Sequence, residues 1–323
     1  MNIKRILAVA VSAGLLAWLM ADGRWRGLGE IFARLDGLTL VLASAGFGLS
    51  YLLRALRIFD EFRAQAGGRF GTCLRITLIH NAMINVVPFR GGEAAFPLLL
   101  RKNFGVPLPR AIASLFWFRL QDAFVVMALA AIVWPGLHPA LKAAAVLGVV
   151  AIAWGLPRWA RAPHAWADGS GFIAKFAKVR DAFAESTRHA RYGWVWTIAN
   201  WTVKLAAQAG LLAALIPATA SVGAAGALGA ELAAILPIQG VAGFGTYEAG
   251  AAAAMLPSGV ALASGLQVAL AFHLFVIACA VTSGAIAWLF PSATARETTG
   301  TAPSDIQSAS SAADGAPTRS SAE

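Results

Sequence analysis

An all-α polytopic membrane protein is the fold class that this 323-residue sequence predicts, on three observations. The chain is 58% hydrophobic and only 13% charged, with a mean hydropathy of +0.66, outside the range of soluble globular domains. Its apolar residues fall in recurring runs, several of them near the ~20 residues that a helix needs to cross a bilayer. Two of those runs are interrupted in the same manner, by proline and glycines beside charged residues, at Asn81–Pro97 and at Pro237–Glu248. Broken backbone at membrane depth is tolerated only where protein or a wet cavity surrounds it, so each interruption marks an interior site, and the pair suggests a repeated fold.

Taken in order, Lys4 and Arg5 precede an apolar run from Ile6 to Met20. Leu19-Met20-Ala21 is a poor cleavage sequence and more spans follow, so the run reads as an uncleaved first helix. A connection carrying Arg24, Arg26 and Arg34 leads to a second run, Leu38 to Leu56, and then to a basic connection, Arg54 to Arg75, with five arginines. The first interrupted region, Ile76 to Leu100, fits one span or two half-spans; Pro88, Gly91 and Gly92 favour a re-entrant hairpin with its tip near Arg90. Ala111 to Trp134 forms the next span and, past a Pro135-Gly136 turn, Leu141 to Leu156 another. The connection from Arg158 to Tyr192 holds seven basic and three acidic residues, and Phe172 to Phe183 has the helical spacing of a segment lying on a membrane surface. Trp194 to Ile216 is a span, Pro217 to Gly223 an uncharged turn, Ala224 to Leu256 the second interrupted region, and Leu262 to Phe290 the last span.

Residues 1–291 are therefore expected to form an integral membrane domain of about six full helices and two re-entrant broken-helix hairpins, and residues 292–323, too polar to fold, a disordered cytoplasmic tail. Of the 26 Lys and Arg residues, 19 fall in segments placed on the cytoplasmic side by this topology and four in outer loops. That asymmetry puts both termini in the cytoplasm of a bacterial inner membrane and makes the two hairpins enter from opposite faces, as in an inverted-repeat transporter. The net charge of +10 is read as membrane orientation and not as nucleic-acid binding.

The charges inside the apolar runs are the candidate site. Arg90 and Glu93 lie three apart at the start of a half-helix; they either pair as a structural salt bridge or, with the Gly91 and Gly92 N–H groups and the helix N-terminus, hold an anionic headgroup. Glu248, preceded by Gly243 and Gly245, has no basic neighbour in sequence and must meet Arg119, Lys204 or Arg90 in space, or be protonated. Arg119 and Asp122 share a helix face and are expected to pair with each other, Lys204 needs a partner such as Glu231, and His273 reads as a satisfied core histidine. His80, Asn81 and Asn85 lie along the helix entering the first break. Cys73 and Cys279 sit in apolar runs and support neither a disulfide nor a metal site, and no metal, phosphate-loop or cofactor motif is present, so none is expected.

On Pro88-Phe-Arg-Gly-Gly-Glu93 with Leu98-Leu-Leu-Arg101, Phe118-Arg-Leu-Gln-Asp122, and Pro237 through the glycines to Glu248, the chain resembles the lysylphosphatidylglycerol synthase transmembrane-region family, the flippase-like domain family, over roughly residues 5 to 290. It departs from the family's pattern at His273, where arginine is expected. The resemblance implies a stand-alone member, without the aminoacyltransferase domain of fused relatives, that moves a phospholipid, polyprenyl-phosphate or hopanoid-type lipid between leaflets. Arg90, Gly91 and Gly92 would grip the headgroup while Glu93, Glu248, Arg119 and Asp122 exchange partners. Two other classes stay open: a membrane enzyme of hopanoid or glycolipid synthesis with Glu248 as general base, and a scaffold binding lipid-synthesis enzymes through residues 158 to 192.

Overall fold

The computed structural model describes residues 27–87, 91–134, 136–163, 171–188, 190–235 and 241–289. Among them are twelve α-helices and no strand, which agrees with the predicted class. The expected first helix, the tail beyond residue 291, and Pro88, Arg90 and Pro237 lie outside the described residues.

Helix α1 (Leu28–Ala33) precedes α2 (Gly37–Glu61). Asp36 caps α2, accepting from Thr39 N at 2.7 Å and from Thr39 Oγ1 at 3.0 Å; the backbone bond first, then the hydroxyl, hold its carboxyl below the usual carboxylate range. A short α3 (Arg63–Ala66) turns at Gly67, with φ +52°, into α4 (Phe70–Val86), a 3-10 turn (Gly91–Ala94) and α5 (Ala95–Phe104). Then come α6 (Leu108–Val133), α7 (Pro139–Arg161), α8 (Phe172–Ser186) and α9 (Gly193–Leu215). The chain continues through α10 (Ala220–Ile235), a 3-10 turn (Val241–Gly243), α11 (Thr246–Met255) and α12 (Leu262–Leu289).

Helices α2, α6, α7, α9 and α12 are long and apolar enough to cross a membrane, and they match the five full spans expected after the first. The interrupted regions fold as hairpins of unequal arms. At ~1.5 Å per residue, the ten-residue α5 and α11 reach about 15 Å, half of a ~30 Å hydrocarbon core. Their partners α4 and α10, of 17 and 16 residues, reach about 25 Å. Three boundaries therefore need correction. The expected basic connection Arg54–Arg75 is mostly helix, with Arg54 and Arg57 on α2 and Arg75 on α4; this shortens the connection without changing the sign of the charge asymmetry. The first hairpin starts at Phe70 rather than Ile76, and α10 starts at Ala220, inside the expected turn.

The contacts repeat. In one half α2 packs on α4, α4 folds back on α5, and α5 packs on α6; in the other α9 packs on α10, α10 folds back on α11, and α11 packs on α12. Across the halves α4 lies on α12 and α10 on α6, while α2 and α9 lie on each other. These last two run antiparallel: Asp60 Oδ2 accepts from Tyr192 N at 2.7 Å, Ser50 Oγ donates to Asn200 Oδ1 at 2.7 Å further along, and Gly46 abuts Ala207 beyond that. The second half is thus an inverted copy of the first, offset by roughly 155 positions, as between Gly37 and Gly193 or Leu108 and Leu262.

Close backbone approach sets both hairpins. Gly229 and Gly250 face each other so tightly that a Cβ on either would strike the other's carbonyl, which makes the small-residue runs packing surfaces, as their composition suggested. In the first hairpin Gly92 presses in the same way on the backbone of Met83 and Ile84. Helices α7 and α8 stand outside the repeat: α7 touches only α6 and α8 among its principal contacts, and α8, the helix expected between Phe172 and Phe183, turns Phe183 and Ala184 onto Trp117 of α6. The largest core gathers α1, α2, α9, α10, α11 and α12 around Leu212, Met255 and Phe272.

Candidate functional site

Both hairpin breaks open onto one cavity of about 340 Å³. Val87 and Glu93 reach it from the first break, Ala242 and Gly243 from the second, and α2, α4, α6, α9, α10, α11 and α12 complete the wall. Ala242, at φ +55°, is one of only two non-glycine residues with a positive φ among the described ones, so the second break holds a backbone conformation that side chains disfavour.

The charged groups in this wall are mostly matched. Arg119 Nη2 donates to Glu93 Oε1 at 2.7 Å and Oε2 at 2.9 Å, and His80 Nε2 lies 3.3 Å from Glu93 Oε2. Lys204 Nζ lies 2.7 Å from Glu231 Oε1, the partner suggested for it, and Gln208 and the Tyr247 hydroxyl donate to the same oxygen at 2.7 and 3.2 Å. Arg54 differs. It reaches the cavity from α2 and makes no hydrogen bond or ion pair with a described residue. Beside it Asn81, 4% exposed, turns an amide into the wall with neither Oδ1 nor Nδ2 hydrogen-bonded. A cation with no hydrogen-bonding partner and an amide with no bonded atom therefore stand in the wall of one cavity.

The predicted residues divide accordingly. Glu93, Arg119 and Gly243 line the cavity. Glu248 sits just behind the wall at the start of α11, where its Oε2 accepts from Gly245 N at 2.7 Å and its Oε1 lies 2.6 Å from His273 Nδ1. Among the described residues its partner is thus His273, not Arg119 or Lys204, and His273, buried and hydrogen-bonded as expected, also lines the cavity. Gly91 is exposed, while Gly92 is buried in the hairpin contact.

Asp122 lies outside the cavity wall and its first partner is not Arg119, which stays 3.9 Å away. Instead Asp122 Oδ1 accepts from Arg57 Nη1 at 2.7 Å and from Trp201 Nε1 at 3.0 Å. Arg57 Nη2 also donates to Phe118 O at 2.6 Å and Gln121 Oε1 at 3.0 Å, and its guanidinium lies 4.1 Å over the Phe118 ring. This cluster ties α2, α6 and α9 together.

Sequence reasoning missed Arg54 and Arg57 by assigning them to a loop. It also missed the Glu248–His273 pair, although a signal was present: a break carboxylate is followed by a basic residue 26 positions on in the first half and 25 in the second.

The described geometry is accompanied by a family match. The profile for the lysylphosphatidylglycerol synthase TM region matches residues 5–284, from the expected first helix through most of α12. The chain belongs to this family. No curated protein and no solved structure matched the chain. For this member of the lysylphosphatidylglycerol synthase TM-region family the match establishes a membrane protein of the flippase-like family.

Proposed function

We propose that the protein moves a lipid with an anionic headgroup between the leaflets of a bacterial inner membrane, the headgroup passing through the cavity between the two hairpins. The observation that supports this reading is Arg54, an unpaired guanidinium in a wall whose other cations, Arg119 and Lys204, hold Glu93 and Glu231. A cation without a hydrogen-bonding partner at that depth is costly without a ligand, and a phosphate accepts its planar fork of donors. Asn81 supplies a further donor, and residues of both hairpin breaks line the cavity. The excess of basic residues at the segments assigned to the cytoplasm orients both termini inward.

The test is lipid translocation in proteoliposomes, read with a fluorescent short-chain phosphatidylglycerol and a membrane-impermeant quencher. Arg54→Gln is expected to slow translocation by about tenfold, the scale of one charge-assisted hydrogen bond, with the protein still folded. Translocation unchanged in Arg54→Gln would overturn the headgroup role. A lipid chemically altered rather than relocated would favour the enzyme class.

A further inference from the structure

The repeat pairs more than helices. At its offset of roughly 155 positions Glu93 corresponds to Glu248, and Arg119 on α6 corresponds within one residue to His273 on α12. The contacts correspond too, with each carboxylate at the start of a hairpin's short arm and each base on the following long helix, at 2.7 and 2.6 Å. One half therefore holds a carboxylate–guanidinium pair and the other a carboxylate–imidazole pair. Arginine keeps its charge at every accessible pH, whereas histidine is the side chain that gains and loses a proton between about pH 5 and 8.

The hydrogen bonds fix where that proton goes. Glu248 accepts from Gly245 N through one oxygen and faces His273 Nδ1 with the other, an arrangement satisfied by an ionised carboxylate and an imidazole protonated on Nδ1. Only Nε2 can then take a proton without breaking either bond. Its edge of the ring lies toward Gly243 at the second break, and the ring lines the cavity.

We infer that the Glu248–His273 pair is a proton-loading site of this protein, coupled through the shared cavity to the anion held at Arg54; the coupling rests on the headgroup reading above. A proton from cavity water adds to Nε2, an N–H bond forms, and the pair passes from net −1 to neutral. Removing a negative charge from the wall strengthens anion binding, and by reciprocity the anion strengthens proton uptake. The groups facing the pair do not neutralise it. Tyr247 of α11 stacks on the imidazole with ring centroids 4.3 Å apart but gives its hydroxyl to Glu231 of α10, which Lys204 of α9 already holds. From α2 come Tyr51 and the unpaired Arg54. Helix α4 turns His80 to Glu93 and Arg75 to Ala287 O, Cys279 lies on α12 itself, and Glu30 of α1 is exposed outside the cavity wall. In the counterpart pair Arg119 keeps its charge and takes up no proton, with His80 as the imidazole beside Glu93, so the two corresponding bases of the repeat, Arg119 and His273, respond differently to pH.

The experiment uses the full chain in phosphatidylcholine nanodiscs with ¹⁵N-labelled histidine, the His273 signal being assigned by its loss in His273→Gln. The probe is a water-soluble short-chain phosphatidylglycerol. Nε2 protonation is expected to move to higher pH when the probe is added. Probe affinity should rise about tenfold from pH 8 to pH 5 in the wild type, and stay flat in His273→Arg, which restores the other half's residue, and in His273→Gln. An Nε2 signal indifferent to the probe, or a wild-type pH profile retained by His273→Arg, overturns the inference. Binding that requires Arg54 but ignores pH overturns the coupling alone, whereas no binding at any pH overturns the headgroup reading and the coupling with it.

Discussion

Arg54 and Arg57 stand one turn apart on α2, yet their surroundings are opposite. Arg57 is 3% exposed and donates to Asp122, Phe118 O and Gln121, with an aromatic ring beneath it. Arg54 faces the cavity and makes no hydrogen bond or ion pair with a described residue. A buried charge held by several partners fixes helices in register, whereas a part-buried charge without a hydrogen bond leaves its donors open to the cavity. Both stand on one helix, so the clamp and the cavity-facing arginine are held rigidly to each other.

Removing Arg57's partner should have the largest effect. Asp122→Ala leaves a guanidinium buried and uncompensated between α2, α6 and α9, and is expected to cost about 3–5 kcal/mol, read as a large loss of thermal stability in detergent. If Asp122→Ala melts with the wild type, the contrast between clamp and receptor is lost. Gly250→Val tests the scaffold elsewhere by forcing the second hairpin apart; a cost of about 1–3 kcal/mol follows from overpacking at the Gly229 backbone. Arg54→Gln sharpens the comparison from the other side, because its loss should appear in translocation, about tenfold, with melting unchanged or raised. The smallest effect belongs to Asp36→Ala, which removes an exposed cap. Since folding holds the Asp36 carboxyl below its ordinary range, its contribution is present above that range and is lost as the pH falls through it, so the slight deficit of Asp36→Ala should vanish in acid melts.

The hairpin residues show how far sequence reading reached. The breaks at Pro88–Glu93 and Pro237–Glu248 were legible because proline and glycine beside a charge are costly in an apolar run unless they serve an interior site. Lys204 and Glu231 were matched because few acids were available to a mid-span lysine. Arg119 was assigned to Asp122 because three residues along a helix is the nearest neighbour a sequence displays, yet Glu93, 26 positions away, presents both oxygens to it. Arg54 was hidden because an arginine near the end of an apolar run looks the same whether it leaves the helix or lines a cavity.

Hydropathy and the backbone's need for hydrogen bonds act locally, so residue order alone set the spans, the two interruptions and the all-helical class. The partners of the charges were settled by packing: the antiparallel crossing of α2 on α9 and the folding of both hairpins onto one cavity bring Glu93 to Arg119 and Glu248 to His273. Those distances depend on helix register, which no single segment encodes, and register also leaves Arg54 alone.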